Sequence, residues 1–206
     1  MTITLRDTKG SELTHAELDG NFEDLDLRTG AGWSDMVASI LASGVPTQNA
    51  PTLSVFGPSP SVYRAYSFDV NDYVFIQPFH VNHDIKPNGQ AYIHVHWSTN
   101  GTSVAPVRWE FHIMRALGHN QANFGAATTL TVTQTPQGTA WRHMVAEVDV
   151  AQTLTLTEPD ELILVVLKRI TNGATDNTNA VFGLTVDLHY ESDRASTPNK
   201  SPNFYS

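Results

Sequence analysis

Apolar and polar residues follow two different rhythms along this chain. From about Val62 onward they alternate with period two, as on strands with one face in a core and the other in solvent. The alternation predicts eight strands: Val62–Phe68, Tyr73–Val81, Ala91–Ser98, Val107–Arg115, Ala126–Thr133, Trp141–Val148, Glu161–Ile170 and Val181–Glu191. Loops rich in Asn, Gly, Pro and Thr separate them, such as Lys86-Pro87-Asn88-Gly89 and Thr99-Asn100-Gly101-Thr102. Eight strands without helical patterning between them point to a mainly β fold. The expected architecture is an eight-stranded antiparallel jelly-roll sandwich, with other Greek-key orders left open.

Before Val62 the rhythm is helical. Leu18, Phe22 and Leu25 are spaced four and then three, one apolar stripe on an acidic helix ending near Leu27 and Gly30. Thr14 as N-cap and Glu17 three residues on form a capping box, and Leu13 and Leu18 can close a hydrophobic staple. A second short helix is predicted from Ser34, with Val37, Ile40 and Leu41 on one face, ended by Gly44 and Pro46. Two helices this short are marginal alone, so their stripes need a partner in this domain or in another chain. The division that follows is 1–45 as a helical attachment and oligomerisation segment and 46–61 as a proline-rich linker. The β-sandwich then covers 62–191, and 192–206 form a tail in which Phe204 and Tyr205 are candidates to dock on a neighbour.

Composition narrows the classes of function. The 206 residues carry a formal charge of −9 and only 12 scattered Lys and Arg, which disfavours a nucleic-acid groove or an anionic membrane surface. Cysteine is absent, which removes disulfides, thiolate nucleophiles and Cys-ligated zinc. The most apolar run, Leu162 to Leu167, is too short to span a bilayer and reads as a buried strand. No secretory signal is visible at the start, so folding in a cytoplasm is expected.

One stretch invites chemistry, Tyr92-Ile93-His94-Val95-His96-Trp97. Strand parity sends Ile93, Val95 and Trp97 to the core and both histidines to the opposite face. On the next strand Trp109, Phe111 and Ile113 point one way, and Glu110 and His112 the other. If those strands pair, His94, His96, Glu110 and His112 form one polar or interface patch. Imidazoles with a carboxylate suit zinc, iron or manganese, and His189 is a distant further ligand. The pair also resembles the His-x-His of the cupin family. However, Trp97-Ser98-Thr99-Asn100-Gly101 supplies no carboxylate at that family's spacing. Solvent- or interface-facing imidazoles, hydrogen-bonded across a sheet, are the simpler reading. No nucleophile elbow, phosphate loop or His-Glu-x-x-His occurs, so no catalytic residue, metal or cofactor is assigned.

The stretch from Leu5 to Leu25 contains Thr8-Lys9-Gly10-Ser11-x-Leu13-Thr14-x-x-Glu17-x-Asp19-x-Asn21-Phe22-x-x-Leu25. It resembles the opening of many tailed-bacteriophage fibre and appendage proteins, near their virion attachment end. More loosely, His83-Asp84, His94-Val95-His96-Trp97, Trp109-Glu110-Phe111, Arg169 and His189-Tyr190 resemble a group of phage and prophage structural proteins. The resemblance implies a non-enzymatic virion protein assembled in the host bacterial cytoplasm, commonly a homotrimer. It would be a short tail or collar fibre, an appendage or its adaptor, held to portal, tail, collar or capsid proteins. Leu13, Leu18, Phe22, Leu25, Val37, Ile40 and Leu41 would carry attachment or subunit contacts. The alternatives are a capsid decoration protein, a metal-dependent jelly-roll enzyme, and a carbohydrate-binding module that meets a host surface glycan.

Overall fold

The computed structural model describes residues 9–29, 32–173, 175–193 and 196–205, and for 24–29 the backbone only. Helix α1 (His15–Thr29) precedes the strands. Its start is the expected capping box. The Glu17 amide donates to Thr14 Oγ1 at 3.2 Å, and the Thr14 amide donates to Glu17 Oε2 at 2.8 Å. The Lys9 ammonium and these Thr14 bonds hold the Glu17 carboxyl at about 2.

The strands are β1 (Gly32–Ser39), β2 (Thr52–Val55), β3 (Arg64–Phe68), β4 (Tyr73–Phe75), β5 (Phe79–His80) and β6 (Gly89–Thr99). They continue with β7 (Val107–Ala116), β8 (Thr128–Gln134), β9 (Met144–Glu147), β10 (Leu154–Leu156), β11 (Leu162–Ile170) and β12 (Val181–Ser192). All the pairings among them are antiparallel and they build two sheets. In the seven-stranded sheet, β6 and β12 are the central pair. β9 and β10 flank β6, and β1 and β3 flank β12, with β2 outside β3. In the five-stranded sheet the order is β4 and β5, then β11, β7 and β8.

The core lies between the two inner faces. β6 contributes Ile93, Val95 and Trp97; β7 contributes Trp109, Phe111 and Ile113; β11 contributes Ile163, Val165 and Leu167. Trp97 and Trp109 meet edge to face with ring centroids 6.2 Å apart, so both tryptophans are packing residues. Arg169 is buried at the end of β11. Its guanidinium donates to the Phe68 and Asn177 carbonyls, both at 2.6 Å, and so ties β11 to the end of β3 in the other sheet and to the β11–β12 connection.

Several expectations need correction. Residues 32–39 form β1, not a second helix. The segment also alternates, with Met36, Ala38 and Ile40 buried and Trp33 and Val37 exposed, and the free edge of β12 supplies eight backbone partners. Ile40 is therefore a core residue of this sandwich, while Leu41, in the short 3-10 turn Ile40–Ala42, is exposed. The sheet begins at Gly32 instead of Val62, and the 46–61 stretch is no mere linker, because β2 within it pairs with β3. The predicted Tyr73–Val81 strand is two strands broken around Pro78, which has no amide to give. β10 is additional, so the strands number twelve among the described residues.

β12 carries one irregularity. Gly183 pairs with Trp97 and Thr185 with His96, so Leu184 is an extra residue, a bulge. The tail docks on its own domain: Phe204 is buried against the rings of His83 and His119, at 5.6 and 5.9 Å. Among the described residues, no helix is long and apolar enough to cross a membrane.

Candidate functional site

The expected patch of His94, His96, Glu110 and His112 does not form. β6 and β7 belong to different sheets, so His94 and His96 face out from one side of the sandwich, and Glu110 and His112 from the other. Glu110 and His112 form their own contact, 2.8 Å between Oε1 and Nε2. His112 borders an apolar hollow of about 460 Å³ with Phe75, Met114, Leu164 and Val166.

His94 and His96 meet other partners, brought by register. Across the outer face of the larger sheet, one row reads Val37, Asp187, His94 and Glu147, from β1, β12, β6 and β9. The neighbouring row reads Asp35, His189 and Tyr92. Residues paired on adjacent strands point to the same side, so these rows make a single histidine–carboxylate cluster.

Its geometry is close. His94 Nε2 lies 3.5 Å from Asp187 Oδ2, and His96 Nε2 lies 3.0 Å from the same oxygen. His94 Nδ1 is 3.3 Å from Glu147 Oε2. His96 Nδ1 contacts His143 Nε2 at 2.6 Å, and those two rings stack. His189 Nδ1 is 3.8 Å from Asp35 Oδ1. Trp33 stands edge-on to both Tyr92 and His189 and, with Glu147, they line a shallow pocket of about 290 Å³.

The protonation states follow from these neighbours. Burial works to lower the His94 imidazole, but Asp187, Glu147 and Asp35 together lift it above the ordinary histidine value. His96 goes the other way: burial, reinforced by His94 and His143, outweighs Asp187 and holds it low. Burial raises the Asp187 carboxyl, yet bonding to His94 and Thr185 and the imidazole charges bring it below its usual range. Groups with the reach to share a cation are His94, His96 and Asp187, or His94, Glu147 and His189.

A second cluster surrounds Asp160, which touches His80 at 3.2 Å, His83 at 3.3 Å and His119 at 2.7 Å. Of the expected contact residues, Leu18, Phe22, Val37 and Leu41 are exposed, Leu13 is half-buried and Ile40 is core. The Leu25 side chain lies outside the described residues. Sequence reading missed Asp187, Glu147, His143 and Asp35. The signal for Asp187 was present in Val186-Asp187-Leu188-His189-Tyr190, whose polar residues alternate with apolar ones as those of β6 do.

No family model matches the chain, and no curated protein matches it. Solved structures do align with it. One is the CBM36-1 domain of a multidomain xylanase from the hindgut metagenome of Trinervitermes trinervoides. It is 10% identical, with 75% of this chain and 96% of that one covered and a TM-score of 0.43. Another contains the CBM22-1 and GH10 modules of a Clostridium thermocellum xylanase, 10% identical, with 82% and 28% covered and a TM-score of 0.36. A protein of unknown function from Shewanella oneidensis is 8% identical, with 92% and 99% covered and a TM-score of 0.30. Resemblance this distant leaves the function to be argued from the residues of this chain.

Proposed function

We propose that this chain is a structural protein of a tailed-phage virion, joined to the particle through its N-terminal segment. The observation that carries the reading is α1. It is capped at Thr14 and displays Leu18 and Phe22, 42% and 64% exposed, within the stretch that resembles phage attachment segments. A capped helix with outward apolar residues suits docking on a portal, tail, collar or capsid protein, or bundling about a three-fold axis as a homotrimer. The sandwich is a jelly roll in this reading. Its strands run β3-β12-β6-β9 in one sheet and β4/β5-β11-β7-β8 in the other, with β1, β2 and β10 as additions. It would serve as a short tail or collar appendage or adaptor, with head decoration as the alternative, and it needs no catalysis.

The test compares the full chain with residues 32–206 in particle complementation. The truncated chain folds but is missing from purified particles, and light scattering shows the full chain as a trimer. Incorporation of 32–206 at the full-length level would overturn the attachment role, and a monomeric full chain would overturn the trimer.

A second reading has its own observation. Trp33 is half exposed beside Tyr92, with Glu147 on the same pocket wall, and an aromatic platform next to a carboxylate is a sugar-binding arrangement. It predicts glycan-array signals that Trp33→Ala abolishes. A blank array removes it.

A further inference from the structure

We propose that His94, His96 and Asp187 hold a divalent transition-metal ion of the zinc type on the outer face of the larger sheet. The site does not depend on the virion reading and stands on four observations.

First, the ligand atoms already have near-coordination spacing. Bonds of about 2.0–2.2 Å in a tetrahedral site place ligands roughly 3.3–3.5 Å apart. The Asp187 oxygen lies 3.5 Å from one imidazole nitrogen and 3.0 Å from the other, and the three ligand atoms fall within 4.8 Å of one another. A small rotation of the less buried His96 ring closes the remaining edge.

Second, two polar atoms of the site are left without hydrogen bonds. His94 and Asp187 are only 5% and 7% exposed, yet His94 Nδ1 and Asp187 Oδ1 have no hydrogen-bond partner. Buried polar atoms of this kind are rare and costly. Neither orphan is a ligand atom, but a cation held at Nε2 and Oδ2 gives the buried carboxylate its counter-charge and fixes the ring that carries Nδ1.

Third, the groups for an outer shell stand beside both imidazoles. Metal-bound imidazoles hand their other N–H to a carboxylate or similar acceptor, which fixes tautomer and ring orientation. With Nε2 on the metal, His96 Nδ1–H faces His143 Nε2 at 2.6 Å, and Glu147 Oε2, 3.3 Å from His94 Nδ1, stands near enough to accept its N–H once the metal fixes the ring. A bare ion pair with Asp187 would require neither.

Fourth, the ligands sit on β6 and β12, the central pair of the sheet, with His94 directly opposite Asp187. Central strands hold such groups more rigidly than loops do. Two imidazole nitrogens and one carboxylate favour zinc, cobalt, nickel or iron over magnesium and calcium, which take oxygen ligands. Asp187, Glu147 and Asp35 supply negative charge around the ion. Three protein ligands leave one position for water, on the side where the His96 side chain is 23% exposed.

The experiment uses tag-free full-length protein stripped with a chelator and then titrated with Zn²⁺ by calorimetry and with Co²⁺ by visible spectroscopy. One ion binds per chain, and cobalt gives the d–d bands of a low-symmetry, four-coordinate site. His96→Ala and Asp187→Asn each remove stoichiometric binding. Glu147→Gln weakens it about tenfold, the low end expected for an outer-shell partner. His112→Ala, on the other sheet, changes nothing. Absence of stoichiometric binding in the unaltered protein overturns the proposal, and so does unchanged binding in both ligand variants. Should a ligand variant fail to fold, Zn²⁺ titration of ¹⁵N-labelled unaltered protein decides instead. Shifts of the His94 and His96 ring nitrogens support the site, and their constancy overturns it.

Discussion

The sharpest consequence of the fold concerns where the sandwich begins. If β1 is part of the sheet, residues 46–206 are an incomplete domain and residues 32–206 a complete one. The size of the difference follows from what β1 and the turn after it bury. Ile40 is fully buried, and Met36 and Ala38 are nearly so. Burying an Ile or Met side chain is worth about 1.5–3 kcal/mol and a methyl-sized group about 0.8 kcal/mol, so the three contribute roughly 4–7 kcal/mol. Eight backbone pairings with β12 are lost as well, which leaves a central strand with an open edge. A domain of this kind is stable by about 5–15 kcal/mol in total, so the loss removes a large part of it. Urea unfolding followed by tryptophan fluorescence should give 32–206 a midpoint close to that of the full chain. The 46–206 chain should show a far lower midpoint, or no transition and aggregation. Equal midpoints for the two truncations would refute the role of β1 in the sheet and restore a boundary near Val62.

Other outcomes follow from single contacts. Gly183→Ala should cost about 1–3 kcal/mol as overpacking, because an added Cβ would stand 2.8 Å from Ile40 Cδ1 and 3.0 Å from Phe68 Cε2; an unchanged urea midpoint would contradict that packing. Burial raises the Asp160 carboxyl, but His119, His83 and His80 outweigh it and hold it below its ordinary 3.8. Its contribution to stability is therefore complete above that unfolded value and is lost as pH falls through the lower folded one. Denaturant midpoints measured from about pH 6 down to about pH 3 should fall at the acid end, and Asp160→Asn should flatten that part of the curve. Thr14→Ala removes one half of the capping box and should lower the helical signal in circular dichroism while leaving the sandwich's unfolding midpoint unmoved.

Each predicted strand overlaps an observed one, because period-two alternation is a local property that Ile93-x-Val95-x-Trp97 and Trp109-x-Phe111-x-Ile113 express without help from the rest of the chain. The segment from Trp33 to Leu41 was ambiguous on the same grounds. Val37, Ile40 and Leu41 fit a helix face, while Met36, Ala38 and Ile40 fit a strand face, and only the free edge of β12 decides between them. The site was half legible. Strand parity placed His94 and His96 outward, but no local rule says that β6 pairs with β12 and β9 instead of β7. Asp187 and Glu147 lie 93 and 53 residues from His94 in the chain, and only tertiary register brings them into one row. The cap at Thr14 and Glu17 needed nothing beyond four residues, and it was read directly.

The bulge at Leu184 acts as a phase shifter for the last strand. Were Leu184 instead taken into the ladder opposite His96, with Gly183 still paired with Trp97, every later position would change sides: Val186, Leu188 and Tyr190 would turn to solvent, and Asp187 and His189 into the core. The histidine–carboxylate face therefore depends on the bulge, which keeps Leu184 out of the ladder, as much as on its side chains. Deleting Leu184 would leave Gly183 opposite Trp97 and Thr185 opposite His96, so the face tolerates loss of the extra residue but not its absorption into the ladder.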